Sequence, residues 1–220
     1  MNKHIVVGAF LVVCLLAGTA AFAQTGTVRI GAAFTGLVDS ENSDQKALGY
    51  DVFGRIWIAQ LPQLTLNASY SALNWKDGDA ETVDQTEVSV FGEYRVYNET
   101  NYGFSVSAGW LNQGIKDAAV EDAEKLATNY ILLGGKGNYV LMDGLQAVAG
   151  VSYGFNNLFK KEEDPAASIL KAKVGAEYDF PQVPGLKAAA YLLYNQIGKG
   201  EEDKVSQYGF NVAASYAVNF

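Results

Sequence analysis

The chain of 220 residues is poor in the groups that most often carry chemistry or staple a small fold. It has one Cys, one His and four Pro. One Cys cannot form an internal disulfide, and together with one His it makes no zinc-ligand set. Beyond residue 23 no apolar run approaches the ~20 residues of a membrane-spanning helix. Positive charge is also short. Asp and Glu number 24 against 16 Lys and Arg, a formal charge of −8. Such an acidic surface repels phosphate backbones and argues against nucleic acid as a partner. What the chain does have is 23 Gly, 13 Tyr and 49% hydrophobic residues at a mean hydropathy of +0.02. A disordered chain would be poorer in apolar and aromatic residues.

Residues 1–23 read as a secretory signal peptide. Lys3 and His4 precede the apolar run Ile5–Leu16, and Ala21-Phe22-Ala23 fits an A-x-A cleavage site. The run is short for an uncleaved anchor. Residues 24–220 are then the folded domain. Loss of the leader removes Lys3, His4 and Cys14, so the domain has neither thiol nor imidazole and is one unit more negative than the whole chain. Cys–His nucleophiles, Ser–His–Asp triads and His-ligated metals have no residues to be built from there.

The domain alternates with a period of two in ten segments: Thr27–Asp39, Lys46–Leu61, Leu64–Trp75, Gln85–Tyr97, Asn101–Gly114, Asn129–Met142, Leu145–Asn156, Ser168–Phe180, Leu186–Ile197 and Gln207–Phe220. Each has an apolar face, such as Val28, Ile30, Ala32 and Phe34 in the first. The opposite face carries Arg29, Asp51, Arg55, Glu87, Glu93, Arg95, Lys136, Lys171, Lys173, Glu177, Asp179 and Lys187, mixed with Gly and Ala. Two architectures share this parity. In a soluble β-sandwich the apolar face is the core; in a transmembrane barrel it meets lipid and the charges line the lumen. Strands above the ~9–11 residues needed to cross a bilayer favour the barrel. So do aromatics toward the ends of the apolar faces, as in interfacial girdles. The connectors also sort. Leu61–Gln63, Tyr97–Asn101, Met142–Gly144 and Phe180–Gly185 are short; Ser40–Gln45, Lys76–Asp84, Ile115–Thr128, Asn157–Ala167 and Gly198–Ser206 are longer and acidic, and the two kinds alternate. The expected fold is a ten-stranded antiparallel up-and-down transmembrane β-barrel, with eight strands as the alternative, and both termini on the short-turn side.

The last segment, YGFNVAASYAVNF, ends in Phe220 with Val218 and Tyr216 at alternate positions before it. This resembles the C-terminal signature of bacterial outer-membrane β-barrel proteins. The resemblance implies that Tyr216, Val218 and Phe220 form the signal read by the barrel-insertion machinery, in a protein whose neighbours are outer-membrane lipid and lipopolysaccharide. GYDV and YGFN resemble pieces of small porin-like and adhesin-like barrels without resolving a subfamily. The family includes surface proteases and lipid-modifying enzymes that use a His near the rim. Residues 24–220 have none, so neither activity carries over, and the chain is expected to be a non-catalytic monomer.

The twelve charges support two readings. One is an ion-pair network that, with Trp57, Phe91, Tyr130 and Tyr191, plugs a narrow lumen; eight strands are just filled by side chains, and ten stands close to that limit. The other is a slightly basic passive pore for small solutes. Neighbouring strands are expected to bring Arg29 to Asp51 or Arg55, and Lys171, Lys173, Glu177 and Asp179 to Lys187. Adhesion through the acidic loops is a third possibility. Asp77-Gly78-Asp79-Ala80-Glu81 begins like a calcium loop but has Thr82 and Val88 where the pattern needs Gly and Glu, so no specific metal or cofactor is expected. Asp117–Leu126 has helix-forming composition, and Lys160-Lys161 beside Glu162-Glu163-Asp164 reads as a solvated loop.

Overall fold

A computed structural model describes residues 26–78, 80–117, 126–156, 167–199 and 203–219. Ten antiparallel strands run in chain order: β1 Gly26–Asp39, β2 Gln45–Ile58, β3 Leu64–Asp77, β4 Ala80–Asn98, β5 Tyr102–Asp117, β6 Leu126–Met142, β7 Leu145–Phe155, β8 Ala167–Asp179, β9 Leu186–Lys199 and β10 Asp203–Asn219. Each pairs with its neighbours in sequence, and β1 pairs with β10, so the sheet closes into a barrel with no free edge. Closure excludes both the sandwich and the eight-strand alternative. The segments assigned to the leader, to Phe220, to residues 118–125 of the helix-forming stretch and to the Lys160–Asp164 loop lie outside the described residues.

Side-chain alternation sorts the faces as the pleat requires. Ile30, Phe34, Val106, Val151, Val174 and Val212 stand exposed on the outer surface. Thr35, Asn67, Gln113 and Glu177 are buried inside. On β2 and β3 the outer series is more covered, with Ile56, Ala68 and Tyr70 almost buried by their neighbours.

The ladder is staggered. A path from Arg29 through Arg55, Asn67, Phe91, Gly109, Leu132, Gly154, Ile169 and Ile197 reaches Val205. Val205 re-enters β1 beyond Asp39, since Asp39 already pairs with Gln207. A stagger of this kind tilts the strands against the barrel axis. It also brings to one height side chains that are far apart along the register.

Several strands outrun the sequence reading. Lys76 pairs with Glu81 and Asp77 with Ala80, so the expected nine-residue loop is a tight hairpin with Gly78 at φ 60°. Lys199 pairs with Asp203, and Ile115 with Leu126. The two connector lengths are therefore less sharply sorted than expected. Polar residues there lose the apolar alternation yet keep their backbone groups satisfied by pairing, and charge pattern alone does not register that.

The opposite end is made of turns at 59–63, 99–101, 143–144 and 180–185, and holds the ends of β1 and β10. Thr27 donates to Asn219 there at 2.8 Å. Gly144 sits at φ 75°, and a Cβ on it would lie 2.6 Å from the Asp179 carbonyl oxygen. Gly144→Val is expected to cost about 1–3 kcal/mol, the price of a left-handed conformation for a branched residue. Urea titration of the lipid-folded protein measures it, and an unchanged midpoint would refute the assignment.

Through the register, the outer aromatics fall into two bands. Tyr94, Tyr102, Tyr139, Tyr178 and Tyr216 ring the short-turn end; Tyr50, Trp110, Tyr153, Tyr194 and Tyr208 ring the other. Aliphatic side chains and Ala fill the belt between them, the outer surface of a barrel that stands in a bilayer. Val174 is 54% exposed in mid-belt, and Leu48, on the outer face of β2 toward its loop end, is 58% exposed. Val174→Arg is expected to cost about 2–4 kcal/mol in lipid and Leu48→Arg about 1 kcal/mol or less, because the penalty depends on depth. Equal costs in the same titration would contradict this placement of the belt.

Candidate functional site: the charged lumen

The inward face of the strands builds a lumen in layers. Near the short turns the centre is Glu177 on β8, 4% exposed. It accepts from Lys187 at 2.6 Å, Tyr191 at 2.6 Å and Gln146 at 3.1 Å, and Lys136 lies 3.7 Å away. Beside it, half-exposed Asp179 pairs with Lys187 at 3.2 Å and Arg29 at 3.6 Å. Arg29 also donates to Ser215 at 3.3 Å.

Above this, Arg55 donates through Nε to Asn67 at 2.7 Å, and its guanidinium lies 5.6 Å from the Trp57 ring centre. Lys173 lies 4.8 Å from the ring centre of Tyr191. Asp51 accepts from Thr35 and, at 2.8 Å, from Asn211. Glu93 accepts from Ser105 at 2.9 Å.

Higher still, Glu87 on β4 forms an ion pair with Lys171 on β8. These strands are four apart in a ring of ten, so the pair crosses the lumen from one wall toward the other. Gln85 and Gln113 each donate to Glu87 at 3.1 Å, and Trp75 donates to Gln85 at 2.9 Å. The β4 end of this bar is therefore held by two amide donors, one of them itself held by Trp75.

Toward the loop end the interior turns apolar. Leu37, Ala47, Leu73 and Trp75 pack together with Val83 and Leu193. Leu111, Tyr130, Ile169 and Ile197 pack with Leu132 and Ala167. Glycines let these side chains meet across a strand. A Cβ at Gly154 would lie 2.6 Å from Ile169 and 2.7 Å from Leu132; one at Gly209 would lie 2.7 Å from Leu37. Two clusters drawn from β1–β4 with β9, and from β5, β6, β8 and β9, form a collar.

Eleven of the twelve sequence-assigned charges thus face the lumen. Arg95 stands apart, exposed beside the β4 bulge between Arg95 and Tyr97 at the short-turn end. The expected partners differ in part. Arg29 lies opposite Arg55 in the register, but its carboxylate is Asp179. Glu177 and Asp179 do meet Lys187, whereas Lys171 reaches Glu87 and Lys173 lies on Tyr191. Long side chains and stagger make neighbours that strand order does not name. The collar was missed except for Tyr130, although the signal was present: Leu73, Trp75, Leu111 and Ile169 share the charged parity. Tyr216 and Val218 face outward, 50% and 55% exposed. In the calcium-like segment Asp79 lies outside the described residues, Asp77 accepts from Gln45 at 3.4 Å and Asp84 from Asn74 at 3.0 Å.

No protein-family model matches the chain, and no curated protein sequence matches it. Solved structures do. The β domain of the Bordetella autotransporter Brka is similar at 11% identity over 89% of this chain and 100% of that one, with a TM-score of 0.50. The translocator domain of the autotransporter NalP from Neisseria meningitidis is similar at 13% identity over 93% and 92%, with a TM-score of 0.49. The outer membrane protease OmpT from Escherichia coli is similar at 11% identity over 89% and 96%, with a TM-score of 0.42. At such identities the likeness is one of fold, and the fold is that of the bacterial outer-membrane β-barrels.

Proposed function

We propose that the chain is a monomeric, non-catalytic barrel of a bacterial outer membrane, exported by removal of residues 1–23, whose lumen is closed by its own side chains. The Glu87–Lys171 bar carries this reading, because an ion pair that spans the lumen leaves little free cross-section beside it. The apolar collar beyond it supports the same reading. The non-catalytic part rests on composition: residues 24–220 contain no His and no Cys. Outer-membrane lipid and lipopolysaccharide contact the apolar belt, and Tyr216, Val218 and Phe220 address the barrel-insertion machinery.

A passive pore is the second reading, favoured by two lumen cavities of about 290 Å³ each, one reaching the bar and one below it. Planar-bilayer recordings on refolded protein separate the two. The closed barrel gives no steady conductance steps; reproducible steps with the wild-type sequence overturn it.

A further inference from the structure

The lower cavity is unevenly furnished. Four cations line it, Arg29, Arg55, Lys173 and Lys187, against two carboxylates, Asp51 and Glu177. Both carboxylates are already supplied with donors: Glu177 by Lys187, Tyr191 and Gln146, and Asp51 by Thr35 and Asn211. Arg29 and Lys187 are held by Asp179. Arg55 and Lys173 are not balanced in this way. Among the described residues, neither has a carboxylate within ion-pair distance in the structure. A guanidinium has five N–H donors and an ammonium three. Arg55 places one on Asn67, and Lys173 rests against a ring face. The remaining donors open on a space walled in part by Phe91 and Leu193, where a charge is less screened than in bulk water.

We propose that this cavity is a binding site for a small free oxyanion of the size and charge of phosphate or sulfate. Arg55 supplies the planar fork that takes two oxygens of such an anion, and Lys173 supplies a point charge from β8. Arg29, the register partner of Arg55, adds to the positive field. The anion enters from the short-turn end, where the side chain of Asp179 is 50% exposed. The enclosing strands exclude a lipid headgroup, so the ligand is a free ion.

The test is calorimetric titration of inorganic phosphate into the refolded full barrel in zwitterionic lipid discs. Saturable one-to-one binding is expected. Lys173→Met weakens it at least tenfold. Arg55→Lys, which keeps the charge and loses the fork, also weakens it, and Lys204→Met at the exposed loop end leaves it unchanged. Heat-modifiable migration on gels shows which variants fold. If neither lumen variant folds, saturating phosphate must still raise the urea midpoint of the wild type above that in chloride of equal ionic strength. Absence of saturable binding, equal binding by wild type and both lumen variants, or no midpoint shift in that fallback overturns the site. The readout is independent of conductance, so a conducting barrel that binds phosphate refutes closure and leaves this inference standing.

Discussion

Glu177→Gln is expected to destabilise the folded barrel by about 3 kcal/mol, the lower end of the range for removing one partner from a buried ion pair. The amide nearly preserves shape, so packing changes little. It still accepts from Tyr191, but it removes the charge that faces Lys187 at 2.6 Å and Lys136 at 3.7 Å. Lys187 retains Asp179 at 3.2 Å, which is why the lower end of the range is appropriate. Lys136 has no such second salt bridge among the described residues. Lys136→Met in the same chain is therefore expected to restore part of the loss, a coupling that a double-mutant cycle reads directly. Urea unfolding from lipid vesicles, followed by the fluorescence of Trp57, Trp75 and Trp110, measures both. A loss below about 1 kcal/mol would mean that lumen water screens these charges as a surface does.

Opening the bar is the second large effect. Glu87→Ala with Lys171→Ala removes both halves of the pair that crosses from β4 to β8. Removing one half alone would leave a charge in the lumen without its counterpart, so the double variant is the cleaner experiment. The cavity that reaches the bar is lined by both residues, and trimming them enlarges it toward the collar. Steady conductance steps are expected from the double variant and none from the wild type. If the double variant stays silent, the collar of Leu37, Leu73, Trp75, Leu111, Tyr130 and Ile169 alone closes the lumen. In that case Trp75→Ala added to the pair is the variant that conducts.

Much of the barrel is legible residue by residue. Val28, Ile30, Ala32 and Phe34 announce a strand with one greasy side, and Arg29 shows that the other side is different. The same two-residue rhythm across ten segments gives strand number and antiparallel order, since short connectors cannot make parallel crossovers. The site is legible only as a set. Sequence places all twelve charges on the inward face, but it pairs Lys171 with Lys187's neighbourhood, whereas the folded chain sends it across to Glu87. It reads Lys76–Asp84 as a loop, whereas pairing of Lys76 with Glu81 makes it the end of two strands. Arg95 shares the parity of the others and pairs with Ser105, but its place at the short-turn end of β4 leaves it exposed and apart from their ion pairs.

The sequence by itself determined which side of each strand is lipid-like and which is polar, because the pleat makes facing a local property of alternate residues. It also determined what the domain lacks, the thiol and imidazole of common active sites. Only the tertiary structure decided which charges meet, because that depends on how many strands close the ring and how far the ladder is staggered when β10 returns to β1. No single strand encodes either quantity. They set the width of the lumen and the height of every side chain in it, and so put Glu87 within reach of Lys171 while leaving Arg55 and Lys173 without a carboxylate in contact among the described residues.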